Sequence, residues 1–106
     1  MKTLTIDIPE GLDAHRQELG LVFQIMLVKL NINRHKGFLE DANPVSLLDG
    51  MSTEFEELVD AFKHKDQFSS AIEACDVANM SVLLAILLLR YTKQEYKEIQ
   101  KKGVTE

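Results

Sequence analysis

Apolar residues recur at steps of three and four along most of the chain, a spacing that predicts helices. The first such stretch, residues 12–33, carries a thick apolar stripe: Leu19, Val22, Phe23, Met26, Leu27 and Leu30. The second begins at residue 44 and carries a narrower stripe: Leu48, Met51, Phe55, Leu58 and Phe62. Each stripe occupies one helix face, so we expect these side chains, the Met and Phe residues included, to form a core.

Capping signals set the boundaries of the second helix. Asn43 followed by Pro44 predicts a helix start, because Asn caps a helix and Pro fits its first turn. Gly50 weakens the pattern, and Thr53 with Glu56 offers a capping box at which the helix would restart. We favour one continuous helix, because the apolar stripe keeps its phase across Gly50.

Two further helices are predicted after the break KHKD. Asp66 is suited to cap a third helix that runs to about Tyr91. A fourth, amphipathic segment, KQEYKEIQKKG, ends in Lys101, Lys102 and Gly103, which suit a helix C-terminus.

Residues 3–8, TLTIDI, alternate polar and apolar, which permits a short N-terminal strand ended by Pro9. The segment has no evident partner within the chain, so we expect an extended arm or an edge that pairs between subunits. The predicted fold class is all-α, an antiparallel bundle of three main helices and a short C-terminal helix. A chain of 106 residues is expected to form one domain, residues 1–106, whose bundle is completed by oligomerisation.

Composition narrows the function. The net charge of −5 argues against a nucleic-acid polymer as partner, since that needs a basic face. The single cysteine, Cys75, excludes an internal disulfide, is expected in the core, and favours an intracellular, cytoplasmic location. The N-terminus lacks the apolar region of a secretory signal. The apolar run 77–89 is shorter than the roughly 20 residues of a membrane span, so we expect it buried in protein.

A polar line runs along the otherwise apolar third helix. Glu73, Asp76 and Asn79 are spaced i, i+3, i+6, which places their Cβ atoms roughly 5–6 Å apart in turn. A buried carboxylate without a partner costs several kcal/mol. Two like charges at about 4 Å repel by roughly 4 kcal/mol even at an effective dielectric near 20. The chain should therefore supply compensating charge, yet no Lys or Arg occurs between residues 66 and 89.

The preceding helix adds more acid. Glu54 and Glu57 are again spaced i, i+3, and a short connection favours an antiparallel hairpin in which they face Glu73 and Asp76. Four converging carboxylates do not stabilise a fold by themselves. We interpret them as a site for a hard divalent cation, with Mg²⁺ the usual choice where phosphates complete its shell.

These residues carry a family resemblance. EFEELVDA followed by EACDVAN resembles the ExxE…ExxD signature of the MazG-like, all-α nucleoside triphosphate pyrophosphohydrolases. Glu54 and Glu57 match the first pair, and Glu73 and Asp76 match the second. KLNINRHKG and LLDGMSTEFEEL are similar to the family's run from helix one into its acidic helix, so the resemblance covers roughly residues 20–90. Thr53 departs from the pattern where many members carry a further acid, which leaves open whether one or two metals bind.

The resemblance implies hydrolysis of a ribo- or deoxynucleoside triphosphate to the monophosphate and pyrophosphate. It implies that Glu54, Glu57, Glu73 and Asp76 bind Mg²⁺, or Mn²⁺ as a substitute, and carry the catalysis. The base that activates water is not assigned among the four, although Glu57 is preferred because it lies furthest from its helix's apolar stripe.

The family also implies substrate contacts and an oligomer. Lys36, with Arg34 or Lys29, is expected to contact phosphates. Asn79 is expected either to bind sugar, phosphate or a nearby water, or to hydrogen-bond between helices. The assembly implied is a homodimer or homotetramer.

Two other functions stay open. One is a module of the same fold that binds metal or nucleotide without turnover. The other is a helical interaction protein whose apolar third helix serves self-association alone.

Overall fold

The chain is all-α, as the sequence predicts. The structure, a computed structural model, describes residues 2–34, 39, 40 and 42–105, the last three of these by their backbone only. A 3₁₀ helix, Glu10–His15, leads into α1, Arg16–Asn33. The later helices are α2, Pro44–His64, α3, Gln67–Arg90, and α4, Lys93–Thr105.

The N-terminal strand that the sequence permits is not formed. Residues 2–9 adopt no regular secondary structure. The reason is that a lone strand leaves its backbone groups unpaired, and no second strand occurs in the described residues to pair with it. The first α-helix also begins later than the apolar pattern suggests, at Arg16, after the tighter 3₁₀ turns.

The predicted caps are confirmed. The Asn43 side chain accepts a hydrogen bond from the Ser46 N–H at 2.9 Å, and the Asp66 side chain accepts one from the Ser69 N–H at 2.7 Å. Between these caps, α2 is one continuous helix through Gly50.

A second capping motif was not anticipated from the sequence. Thr92 and Glu95 exchange hydrogen bonds at the start of α4: the Thr92 N–H donates to Glu95 Oε1 at 2.8 Å, and the Glu95 N–H donates to Thr92 Oγ1 at 3.1 Å. This is a capping box, readable from the sequence TKQE. At its other end, α4 continues past Gly103 to Thr105.

Helix α3 is the element against which α1 and α2 pack, whereas α4 makes few contacts with the other described helices. The contact of α3 with α2 is the most extensive in the described chain, and its contact with α1 comes next. Along α1, Met26 contacts Asn79 and Lys29 contacts Asp76. Along α2, Leu47 clusters with Leu87 near one end and Glu57 lies near Glu73 toward the other, so residue numbers in α3 fall as those in α1 and α2 rise. Both helices therefore run antiparallel to α3. Within the described part of the chain α1 and α2 hardly touch each other, so α3 is the helix that both contact.

The core of the single chain is small. A cluster of Leu39, Leu47 and Leu87 joins the loop before α2 and the first turn of α2 to the C-terminal half of α3. Cys75 is buried, as predicted.

The expectation that the Phe residues of both stripes form core is wrong for a single chain. Phe23, Phe55 and Phe62 are exposed by 49%, 55% and 80%. The physical reason is that the stripe of α2 is rotated partly away from α3, and no further helix in the described residues covers it.

The expected burial of α3 is also incomplete. Gln67–Arg90 is long and apolar enough to cross a membrane by length and composition, with mean hydropathy 1.9, and only 17% of its apolar window is buried. The prediction counted only residues 77–89, but the apolar window extends beyond that run. Core helices of soluble proteins have the same length and composition.

Candidate functional site

Three carboxylates meet where α2 and α3 face each other. Glu54 and Glu57 lie one turn apart on α2, and Glu73 lies opposite on α3. One carboxylate oxygen from each of the three can be chosen so that all lie within 4.8 Å of one another. The structure thus brings together three of the four residues that the sequence places in a metal site.

Two of these carboxylates have buried oxygens without a partner. Glu54 Oε2 and Glu73 Oε2 are shielded from solvent and form no hydrogen bond in the described structure. Orphaned carboxylate oxygens of this kind are costly, because burial removes their hydration and nothing replaces it. A divalent cation would supply the missing partner.

The electrostatics of Glu54 follow from this crowding. Burial is the largest cause that raises its pKa above the ordinary 4.5. The negative charges of Glu57 and Asp76, a hydrogen bond with the Glu57 side chain, and the charge of Glu73 raise the pKa further. The Glu54 carboxyl therefore keeps its proton to higher pH than an ordinary glutamate, and no cationic side chain is among the causes that act on its pKa.

Asp76 lies near this group but has a different partner. Its Oδ2 is 3.5 Å from Lys29 Nζ on α1, and the two side chains are 16% and 28% exposed. Its charge still contributes to the raised pKa of Glu54, so it belongs to the same electrostatic site. Lys29, predicted to contact phosphates, is thus positioned by an acid of the site itself.

Asn79 continues the polar line toward α1. It is only 6% exposed, and its Nδ2 donates to the Met26 backbone carbonyl at 3.0 Å. This is the helix–helix hydrogen bond that the sequence left as one of two alternatives. Its Oδ1 is buried and accepts no hydrogen bond from the described residues, so the amide oxygen is available as an acceptor. The substrate role of Asn79 stays a prediction.

The remaining predicted substrate contacts lie away from the carboxylates or outside the described residues. Arg34 lines an open cavity of about 400 Å³ whose other walls are Leu27, Leu30, Asn31 and Glu40. Lys36 falls outside the described residues.

Thr53, the position at which the family pattern often has another acid, contributes no carboxylate. Its hydroxyl donates to the Asp49 backbone carbonyl at 3.3 Å, within its own helix. The available donor set is therefore three clustered carboxylates with Asp76 beside them. All offer hard oxygen ligands, which fit Mg²⁺ or Mn²⁺ better than a soft metal.

Comparison with protein-family models, with curated proteins and with solved structures finds no match.

Proposed function

We propose that the chain is a Mg²⁺-dependent nucleotide pyrophosphohydrolase of the MazG-like type, which converts a nucleoside triphosphate to the monophosphate and pyrophosphate. The observation that supports this most is the convergence of Glu54, Glu57 and Glu73 from two helices, with two oxygens buried and unpartnered. Such an arrangement destabilises the metal-free fold, so a ligand that removes the cost is its simplest explanation. Nucleotide substrates and the single free cysteine fit a cytoplasmic location.

The carboxylates would hold the cation, with Mn²⁺ as a substitute for Mg²⁺. When bound, the dication neutralises phosphate charge and lowers the pKa of a coordinated water. Glu54 and Glu73, whose orphaned oxygens are buried, are suited to coordinate it. Glu57 is the most exposed of the three and is suited to accept a proton from the attacking water.

Basic side chains on α1 would bind the phosphates. Lys29 lies beside Asp76, so it flanks the cation site, and Arg34 follows directly after the end of α1. Lys36 follows in sequence. An ammonium or guanidinium beside the metal stabilises the charge of a transferring phosphoryl group.

The arrangement of the helices as a complete bundle, and assembly into a homodimer or homotetramer, belong to the same proposal. They are supported by the large apolar side chains that the single chain leaves exposed.

A non-catalytic metal- or nucleotide-binding module is the second candidate. The Lys29–Asp76 ion pair favours it, because Lys29 already occupies one of the predicted metal ligands. Thr53 also favours it, because the position at which the family often has a further acid carries a hydroxyl here. A helical interaction protein is the third, favoured by the exposed apolar residues.

One assay separates these functions. Pyrophosphate release from a panel of ribo- and deoxynucleoside triphosphates is measured with Mg²⁺ and with EDTA, for the wild type, Glu73→Gln and the control Glu56→Gln. Glu56 is exposed on α2 and outside the cluster. Turnover that needs Mg²⁺ and is lost only in Glu73→Gln supports the enzyme. Folded wild-type protein that binds Mg²⁺ or nucleotide without turnover is the binding module, and folded protein that binds neither is the interaction protein.

A further inference from the structure

The apolar residues of α2 form a seam with the alternating three- and four-residue steps of a helix that packs along another helix. Leu48, Phe55 and Phe62, spaced seven apart, are exposed by 53%, 55% and 80%. Met51 and Leu58, between them, are half-buried. The chain therefore covers one edge of the seam and leaves its larger side chains open.

The open edge continues onto α3. Ser81 donates a hydrogen bond to Met51 Sδ at 3.7 Å, so α3 lies directly beside the seam. Ala74, Ser81 and Ala85 are exposed and share one side of α3, at steps of seven and four. We define the back face by six residues of the two helices: Leu48, Phe55, Phe62, Ala74, Ser81 and Ala85.

The back face is separate from the carboxylate site. By helical periodicity, Glu57 projects about 160° around α2 from Phe55. The only charged residues of α3 before Arg90 are Glu73 and Asp76, and both belong to the carboxylate site. The α3 part of the back face is thus uncharged.

The surface area indicates that a partner is missing. The chain exposes 8694 Å², whereas a folded monomeric protein of 12.0 kDa exposes about 6,000 Å². Its radius of gyration is 16.0 Å, against about 13 Å for a compact domain of this length. The exposed N-terminal segment and α4, which packs little on the other described helices, account for part of the excess. The total excess of about 2,700 Å², with these segments included, compares with the roughly 800 Å² that each partner buries in a standard interface.

We propose that the back face is the contact between two copies of this chain. A two-fold axis would set the same patch against itself, with Phe55 and Phe62 of each copy packed on the small residues of α3 in the other. The inference locates the contact of the oligomer proposed above, and it can be tested apart from nucleotide hydrolysis because none of the six residues belongs to the carboxylate site.

Charge favours a second copy over a lipid surface. Helices that lie on membranes carry Lys and Arg beside their apolar face. The solvent side of α2 instead carries three acids, Asp49, Glu56 and Asp60, and one lysine, Lys63, and the chain has a net charge of −5. An anionic bilayer would repel this surface, whereas an apolar patch on an identical chain would not.

The first test measures mass in solution by light scattering on the full chain, together with circular dichroism. The wild type is expected at 24 kDa or a higher multiple of 12.0 kDa. Phe55→Glu and Phe62→Glu are expected at lower mass with helicity retained. The control Leu21→Glu changes an equally exposed apolar residue on α1, outside the back face, and is expected to keep the wild-type mass.

The second test remains decisive if a glutamate variant fails to fold. Phe62, which is 80% exposed and so leaves room for a larger side chain, is replaced by the photo-cross-linking phenylalanine analogue p-benzoylphenylalanine, in a mixture of ¹⁵N-labelled and unlabelled chains. Cross-links from position 62 to α3 of the other isotope class support the proposal. A monomeric wild type overturns it, and so do cross-links that stay within one chain. Co-sedimentation of a monomer with phosphatidylcholine–phosphatidylglycerol vesicles overturns it in favour of a lipid surface.

Discussion

Lys29 on α1 and Asp76 on α3 form an ion pair, with Nζ 3.5 Å from Oδ2 and both side chains largely buried. One turn away, Asn79 donates to the carbonyl of Met26, so these two polar contacts join the same pair of helices. An internal ammonium therefore already neutralises one of the acids that we propose to hold Mg²⁺. Metal binding and the position of Lys29 must then be coupled.

Replacing Lys29 by Met is expected to strengthen the binding of Mg²⁺ alone and to weaken the binding of nucleotide. The variant loses a positive charge that competes for Asp76, and it also loses a contact for phosphate. We expect changes of about fivefold in opposite directions, or about 1 kcal/mol each. Calorimetric titration with Mg²⁺, and then with a non-hydrolysable nucleotide in excess Mg²⁺, measures both.

Lys97→Met, on the exposed surface of α4, is the matched control and is expected to change neither affinity. If the wild type binds Mg²⁺ and Lys29→Met binds it equally well, the competition does not exist. If the wild type binds no Mg²⁺, the metal site itself is wrong.

Glu73→Gln is expected to stabilise the metal-free protein by about 1 kcal/mol, because it removes one of several like charges held close together. The same change is expected to abolish the rise in Tm that Mg²⁺ gives the wild type, because a ligand of the cation is lost. Thermal unfolding in EDTA and in Mg²⁺ measures both effects, with Glu56→Gln as the control.

Asp76→Asn is expected to destabilise the metal-free protein in EDTA, whereas Glu73→Gln is expected to stabilise it. Replacing Asp76 leaves Lys29 without its partner, and the loss of a partly buried pair costs about 1 kcal/mol. Equal stabilisation by both substitutions would mean that Lys29 does not interact with Asp76 in solution.

The helices were predictable because their signals are local. Asn43, Pro44 and Asp66 identify two helix starts through hydrogen bonds to residues three positions away. The burial of each face was not predictable, because it depends on which helices meet. Phe55 and Phe62 carry a clear apolar pattern, yet nothing in their spacing says whether the covering helix belongs to the same chain.

The candidate site, like the fold, was predictable from the sequence only in part. The i, i+3 spacing within each acidic pair and the short connection between helices predicted that Glu57 and Glu73 approach each other. The partner of Asp76 was missed, although a signal existed. Lys29 is the only charged residue of α1 between Glu18 and Arg34, just as the acids are isolated on apolar α3. Matching isolated charges on different helices would have suggested the pair.

The raised pKa of Glu54 predicts how stability depends on pH. The folded state binds this proton more tightly than the unfolded state, whose pKa is near 4.5. The unfolding free energy of the metal-free protein should therefore fall as pH rises from about 4.5 through the raised pKa of Glu54. Glu54→Gln should remove this component. We would measure the Tm of the wild type and of Glu54→Gln in EDTA from pH 4 to 7. The difference between the two Tm values at each pH gives the contribution of Glu54.

Saturating Mg²⁺ should reverse the slope in the wild type, because deprotonated carboxylates bind the cation. A difference between wild type and Glu54→Gln that does not vary with pH would show that Glu54 titrates normally in the fold.

Two glycines inside helices should respond differently to the same substitution. An added Cβ at Gly20 of α1 meets nothing within 4 Å, so Gly20→Ala is expected to stabilise the fold by about 0.5–1 kcal/mol through helix propensity. At Gly50 of α2 the same atom would lie 2.6 Å from Met80 Cε, and Met80 packs against the leucine cluster. Met80 must change rotamer at a cost of about 1 kcal/mol, so Gly50→Ala is expected to gain little or nothing. Urea unfolding of both variants measures the difference. Equal stabilisation would mean that α2 and α3 are not in close contact at Gly50.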